Sequence, residues 1–67
     1  MQTRVLKFKH TSDANVEKIV ADIKFCGGVV KEKTKLLSQR LIYITIEEDN
    51  SFMRKFRDTR SGNFILN

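Results

Sequence analysis

Apolar and polar positions follow two different periods along this chain, and each change of period marks a new element. Near the middle, apolar residues recur at the three- and four-residue spacing of one helical face, at Val16, Ile19, Val20 and Ile23. The pair Gly27-Gly28 comes shortly afterwards, and glycine readily adopts the left-handed conformation that ends a helix. The pattern therefore predicts a helix that starts at Thr11-Ser12-Asp13 and runs to about residue 26.

Alternation at every second position predicts strands on both sides of this helix. The clearest is the third, where Ile42, Ile44 and Ile46 share one face and Tyr43 lies on the other. A second helix is expected after Asp49-Asn50-Ser51, whose side chains can cap it. The predicted strands cover residues 3–9, 29–35, 41–47 and 63–66, the turn between strands two and three covers residues 36–40, and the second helix covers residues 51–59.

This order of elements predicts one α+β domain over residues 1–67. The expected fold is the ferredoxin-like βαββαβ arrangement, a four-stranded antiparallel sheet with two helices on one face. Strands one and three are the most apolar and should be central. The expected core is Leu6, Phe8, Val16, Ile19, Val20, Ile23, Val30, Ile42, Ile44, Ile46, Phe52 and Phe56, with Phe64 or Ile65.

Composition narrows the class of protein. The 67 residues carry a formal net charge of +5, which favours an acidic partner such as nucleic acid or an acidic protein surface. The single cysteine excludes an internal disulfide framework and favours a reducing, cytoplasmic setting. No apolar run approaches the roughly 20 residues that span a bilayer. A small basic protein with no signal-peptide pattern at its N-terminus is also compatible with a viral or mobile-element origin.

Candidate chemistry is sparse. Cys26 follows the helix as a buried structural residue, and His10 has no second ligand type at a metal-binding spacing. The run Glu47-Glu48-Asp49 is best explained by the positive end of the second helix. No nucleophile with a base and no pair of catalytic acids is readable. We therefore expect no enzyme activity, no cofactor and no metal.

The sheet face opposite the helices is the predicted binding surface. It combines an apolar centre with surrounding lysines and suits a protein partner; its residues are Val5, Lys7, Lys9, Lys31, Lys33, Leu41, Tyr43 and Thr45. Nucleic acid is the alternative, through Lys7, Lys31, Lys33, Lys35, Arg54, Lys55, Arg57 and Arg60. A solvated face whose lysines only protect the sheet edges is a third interpretation, and a homodimer through edge strand two or four is a further possibility.

One family resemblance supports the predicted fold. Residues 4–47 resemble the subtilisin-propeptide-like protease inhibitors. The resemblance consists of a strand of the VLKFK type, a helix that begins Ser12-Asp13-x-x-Val16-Glu17-Lys18, the glycine pair, and Leu36-Leu37 before strand three. The resemblance implies that the open sheet face packs on a protease while a C-terminal tail lies in its cleft. Here residues 63–67 are expected to be used by strand four, so the inhibitory tail is expected to be missing. The resulting prediction is a small non-catalytic protein-interaction module or inhibitor.

Overall fold

A computed structural model describes residues 1–66 of this chain. The strands are β1 (Gln2–Lys9), β2 (Val29–Leu36) and β3 (Leu41–Glu48), and the helices are α1 (Asp13–Phe25) and α2 (Phe52–Arg57). Short 3-10 turns at Leu37–Gln39 and Ser61–Phe64 complete the described elements.

The sheet has three strands in the order β1-β3-β2, and both pairings are antiparallel. The predicted four-stranded sheet is therefore wrong. The residues expected to form strand four instead contain the second 3-10 turn, and only Ile65 bridges to Phe8, next to a hydrogen bond of 2.8 Å from the Leu66 N–H to the Lys7 carbonyl. The third strand is central as predicted, but the first is an edge of the named sheet, not a second central strand.

Local hydrogen bonds explain why the chain turns after α2 before it can extend. The Thr59 hydroxyl donates to the Phe56 carbonyl at 2.6 Å and accepts from the Gly62 N–H at 3.0 Å. Ser61, itself buried, donates its hydroxyl to the Asp22 carboxylate on α1 at 2.5 Å. These contacts hold residues 61–64 in a tight turn against α1, so that only residues 65 and 66 reach the edge of β1.

The ends of α1 are those that the sequence predicts. Ser12 is the N-cap, and its hydroxyl accepts a hydrogen bond of 3.1 Å from the Asn15 N–H. At the other end Gly27 takes a φ of 93°, and the Gly28 N–H bonds back to the Ile23 carbonyl at 2.9 Å. The glycine pair stops the helix because an L side chain rarely adopts such a φ.

The core lies between the sheet and the two helices, which bury their apolar side chains on the same face. The rings of Phe8 in β1 and Phe56 pack edge to face with their centroids 6.1 Å apart, and Phe52 stacks on Phe56 with a centroid distance of 5.2 Å. The fully or nearly fully buried residues are Leu6, Phe8, Val16, Ile19, Ile23, Cys26, Ile42, Ile44, Ile46, Phe52 and Phe56. Val20, Val30 and Ile65 pack against this cluster while partly buried, and Phe64 lies outside it.

Candidate functional site

The sheet face away from the helices is built from rows of residues that lie opposite one another on neighbouring strands. Directly paired residues of antiparallel strands point to the same side of a sheet. Ile42, Ile44 and Ile46 are completely buried beneath the helices, so the alternate positions of β3 face outward, as predicted. From β1 through β3 to β2, the outward rows are Thr3–Glu47–Val29, Val5–Thr45–Glu32, Lys7–Tyr43–Thr34 and Lys9–Leu41–Leu36.

A β-bulge in β2 changes which lysines belong to this face. The pairing register shifts between Val30 and Glu32, so one extra residue, Lys31, enters the strand. Beyond it Lys33 lies opposite Ile44 and Lys35 opposite Ile42, which puts both lysines on the helical side of the sheet. Their predicted position on the open face is therefore wrong.

The same register shift puts other side chains of β2 on the open face instead of Lys33 and Lys35. Glu32, Thr34 and Leu36 are opposite Thr45, Tyr43 and Leu41, although uninterrupted alternation assigns them to the core side. These are the surface residues that the sequence analysis missed. Its only usable signal was chemical: an uninterrupted strand would turn the Glu32 carboxylate towards the buried isoleucines, where an unpaired charge is costly.

Lysine is the better residue for the helical side of an edge strand. Its four-carbon stem can cover apolar surface while the ammonium group stays in water. Lys35 reaches the start of α1, where its Nζ lies 2.8 Å from Asp13 Oδ1; His10 Nε2 is 3.5 Å from the same oxygen. The hydrogen bond and charge of Lys35, in that order, lower the pKa of the Asp13 carboxyl.

Substitution Lys35→Met tests this placement. Removing the ammonium group should raise the pKa of Asp13 back towards its ordinary value of 3.8, because the lowered pKa depends first on Lys35. The stabilisation from this carboxylate is present above about pH 4 and is lost as the pH falls through the lowered pKa, so the variant should lose less stability on acidification. NMR titration of the Asp13 side-chain carboxyl measures the shift. Lys33→Met is the control, and an unchanged Asp13 pKa in Lys35→Met would mean that Lys35 lies elsewhere.

The open face is apolar at its centre, with opposite charges on opposite sides. Val5 is 49% exposed, while Leu36, Leu41 and Tyr43 are partly exposed. Two lysines, Lys7 and Lys9, lie on the β1 side of Tyr43 and Leu41, and Glu32 lies on the β2 side of Thr45. At the end of the face Lys31 Nζ is 3.9 Å from Glu47 Oε1, so these two charges largely offset each other.

The residues named for nucleic-acid binding do not form one surface. Lys7 and Lys31 are on the open face, whereas Lys33 and Lys35 are on the helical side. Exposed Arg54, Lys55 and Arg57 belong to α2, with Arg60 just beyond it, in the layer that covers the opposite side of the sheet.

Two of the remaining ionisable groups, Cys26 and Glu48, are buried in the fold. Cys26 is buried, and burial raises the pKa of its thiol. Glu48 is 1% exposed and accepts hydrogen bonds from Gln2 Nε2 at 3.1 Å and Arg4 Nε at 2.5 Å, so it ties the ends of β1 and β3 together.

Across residues 1–66 no three His, Cys, Asp or Glu side chains are grouped to hold a metal ion. Neither α1 nor α2, the helices of this same stretch, has the length and apolar character to cross a membrane.

Comparison with protein-family models, with curated proteins and with solved structures finds no match to this chain. The resemblance to subtilisin-propeptide-like inhibitors therefore stays a prediction from the residues that carry it.

Proposed function

We propose that this domain works by binding a folded protein through its open sheet face, without catalysis. The observation that carries the proposal is the register of β2 after the bulge. It takes two lysines off the face and adds Glu32 and Leu36, so the exposed surface around Tyr43 is apolar at its centre and close to neutral. Protein interfaces combine an apolar centre of this kind with a polar rim, whereas nucleic-acid surfaces depend on unbalanced positive charge.

The charges around the apolar centre indicate which charged groups a partner protein should carry. Lys7 and Lys9 favour carboxylates on one side of the contact, and Glu32 favours positive or hydrogen-bond-donating groups on the other. A folded protein with an apolar patch between such groups fits this face. The N-terminal end of a helix, with its free N–H groups, is one structure that suits Glu32.

The sequence resemblance supports a particular first partner. Inhibitors of the propeptide-like family pack their open sheet face on a subtilisin-type protease, and the strand, helix and glycine pair of this chain are similar to theirs. Glu32, opposite Thr45, gives this face an acidic group that uninterrupted alternation of β2 would place on the helical side. A subtilisin-type serine protease is therefore the first purified protein to test.

Tyr43→Ala should abolish most of this binding. Tyrosine at the centre of an interface is a frequent hot spot, and its removal typically costs about 2 kcal/mol or more, or about thirtyfold in affinity. The measurement is quantitative mass spectrometry of proteins retained from a cell extract by the wild type, by Tyr43→Ala and by Phe25→Ala. Phe25, 88% exposed at the end of α1, is the matched aromatic control.

A set of proteins retained by the wild type and the control but depleted by Tyr43→Ala would support the proposal. The same comparison applied to inhibition of a subtilisin-type protease, followed with a chromogenic peptide, tests the partner class directly. Identical retention by all three proteins would refute sheet-face binding.

A further inference from the structure

A groove beside α1 forms a second candidate surface. It lies between the first half of α1 and the C-terminal segment and has a volume of about 530 Å³, within the range of about 300–1,000 Å³ typical of ligand-binding clefts. A smaller groove of about 370 Å³ shares Asn15, Lys18 and Phe64 with it and continues to Arg60. The two grooves adjoin at these three shared residues, and we call them together the α1 groove.

An exposed aromatic ring lies where the two parts of the α1 groove meet. Phe64 is 50% exposed and lines both parts, because the 3-10 turn at Ser61–Phe64 keeps it out of the core. Leu66, 51% exposed, lines the larger part beside it. The sequence pattern predicts Phe64 only as a residue of strand four or of the core, and the tertiary structure places it in the groove instead.

The charges along the α1 groove are almost all positive. Lys9 lines its larger part, Lys18 lines both parts, and Arg60 lines the smaller part. None of the three is in an ion pair with another residue of the 1–66 stretch. The one acidic residue in the lining, Asp22, accepts the hydroxyl of buried Ser61.

We propose that the α1 groove binds single-stranded nucleic acid. An exposed aromatic ring offers a stacking platform for an unpaired base, and cationic side chains along a groove attract the phosphates that follow it. Phe64 takes the first role, and Lys18 and Arg60 take the second. A duplex fits less well, because its bases are already stacked on one another and cannot lie on the ring.

This inference does not depend on the proposed protein-binding function. Tyr43 is on the open face and does not line the α1 groove, so loss of one activity can be separated from loss of the other. Lys9, at the end of β1, belongs to both surfaces and is therefore unsuitable as a test residue.

A tryptophan at position 64 provides a direct test of stacking. The chain contains no tryptophan, so Phe64→Trp introduces a single fluorophore that keeps an aromatic ring in the α1 groove. Titration with a twelve-nucleotide oligothymidylate in low salt should quench its emission. Phe25→Trp, whose ring is exposed but outside the groove, is the matched control and should show no saturable quenching.

Affinity measurements with a labelled oligonucleotide complete the test. Fluorescence anisotropy should show a weakening of about 5- to 150-fold for Phe64→Ala, since stacking of one base is worth about 1–3 kcal/mol. Lys18→Glu should weaken binding, while Lys24→Glu, near the far end of the same helix, should change it much less. With two or three phosphates contacted, affinity should fall roughly tenfold between 50 and 200 mM salt.

Three results would overturn the proposal. These are no saturable binding by the wild type at low salt, equal affinity for a duplex of the same length, and equal effects of Phe64→Ala and Phe25→Ala. Circular dichroism of each variant establishes that it is folded, and Phe64→Trp keeps the test valid if the alanine variant unfolds. Tyr43→Ala should bind the oligonucleotide as the wild type does.

Discussion

Phe56→Ala is expected to remove about 3–5 kcal/mol from the free energy of unfolding. Phe56 is completely buried and joins α2 to the sheet through its edge-to-face contact with Phe8 and its stacking on Phe52. Removal of the ring leaves a cavity between α2 and the sheet, and the close packing of an interior permits only partial collapse around it.

The size of the domain makes this loss severe. At about 0.05–0.15 kcal/mol per residue, a chain of 67 residues has a total stability of about 3–10 kcal/mol. The expected loss is therefore about a third or more of the total, and urea denaturation followed by circular dichroism should show a much lower midpoint or, at the low end of that range, a variant unfolded in buffer. Phe25→Ala should change stability by less than about 0.5 kcal/mol, because Phe25 is an exposed ring outside the core. A loss below about 1 kcal/mol in Phe56→Ala would show that the ring is not packed in this way.

Gly62→Ala is expected to cost about 3 kcal/mol or more of folding stability, although the change adds only one methyl group. A Cβ at this position would overlap the Phe56 carbonyl oxygen and lie 2.7 Å from the Arg57 Cα. Both neighbours are backbone atoms at the end of α2, so the overlap can be relieved only by moving the helix or opening the turn. Opening the turn would also break the Gly62 N–H bond to Thr59 and disturb the Ser61–Asp22 contact.

Gly27→Ala separates this packing effect from backbone strain. Gly27 has a φ of 93° but nothing within 4 Å of an added Cβ, so its substitution should cost only about 1–2 kcal/mol of conformational strain. Thermal unfolding should therefore rank the proteins as wild type, Gly27→Ala and Gly62→Ala, with Gly62→Ala the least stable. Equal midpoints for the two glycine variants would contradict the close approach at position 62.

The helix α1 and the core were readable from the sequence because their signals are local. A cap at Ser12, apolar residues at helical spacing and a glycine at the left-handed position all act within a few residues. The alternation of β3 was equally plain, and it correctly separates the buried isoleucines from Tyr43.

The fourth strand and the register of β2 could not be predicted in this way. The segment after α2 is apolar enough for a strand, but the Ser61–Asp22 hydrogen bond joins residues 39 positions apart. The bulge at Lys31 likewise appears only in the pairing of β2 with β3, and beyond it Lys35 meets Asp13, which is 22 positions away in the chain. A shift of one residue reverses the two faces of a strand, so every site residue beyond the bulge was assigned to the wrong side.

The amino-acid sequence determined the order of β1, α1, β2, β3 and α2, the buried faces of α1 and β3 and the outward position of Tyr43. Each of these follows from periodicity and capping within one segment. The tertiary structure decided which face of β2 is exposed, reduced the last strand to a single bridge and left Phe64 beside Lys18 in a groove. The physical reason is that these features depend on burial, charge and hydrogen bonds between segments that are distant in the chain. A pattern within one segment carries no information about those contacts.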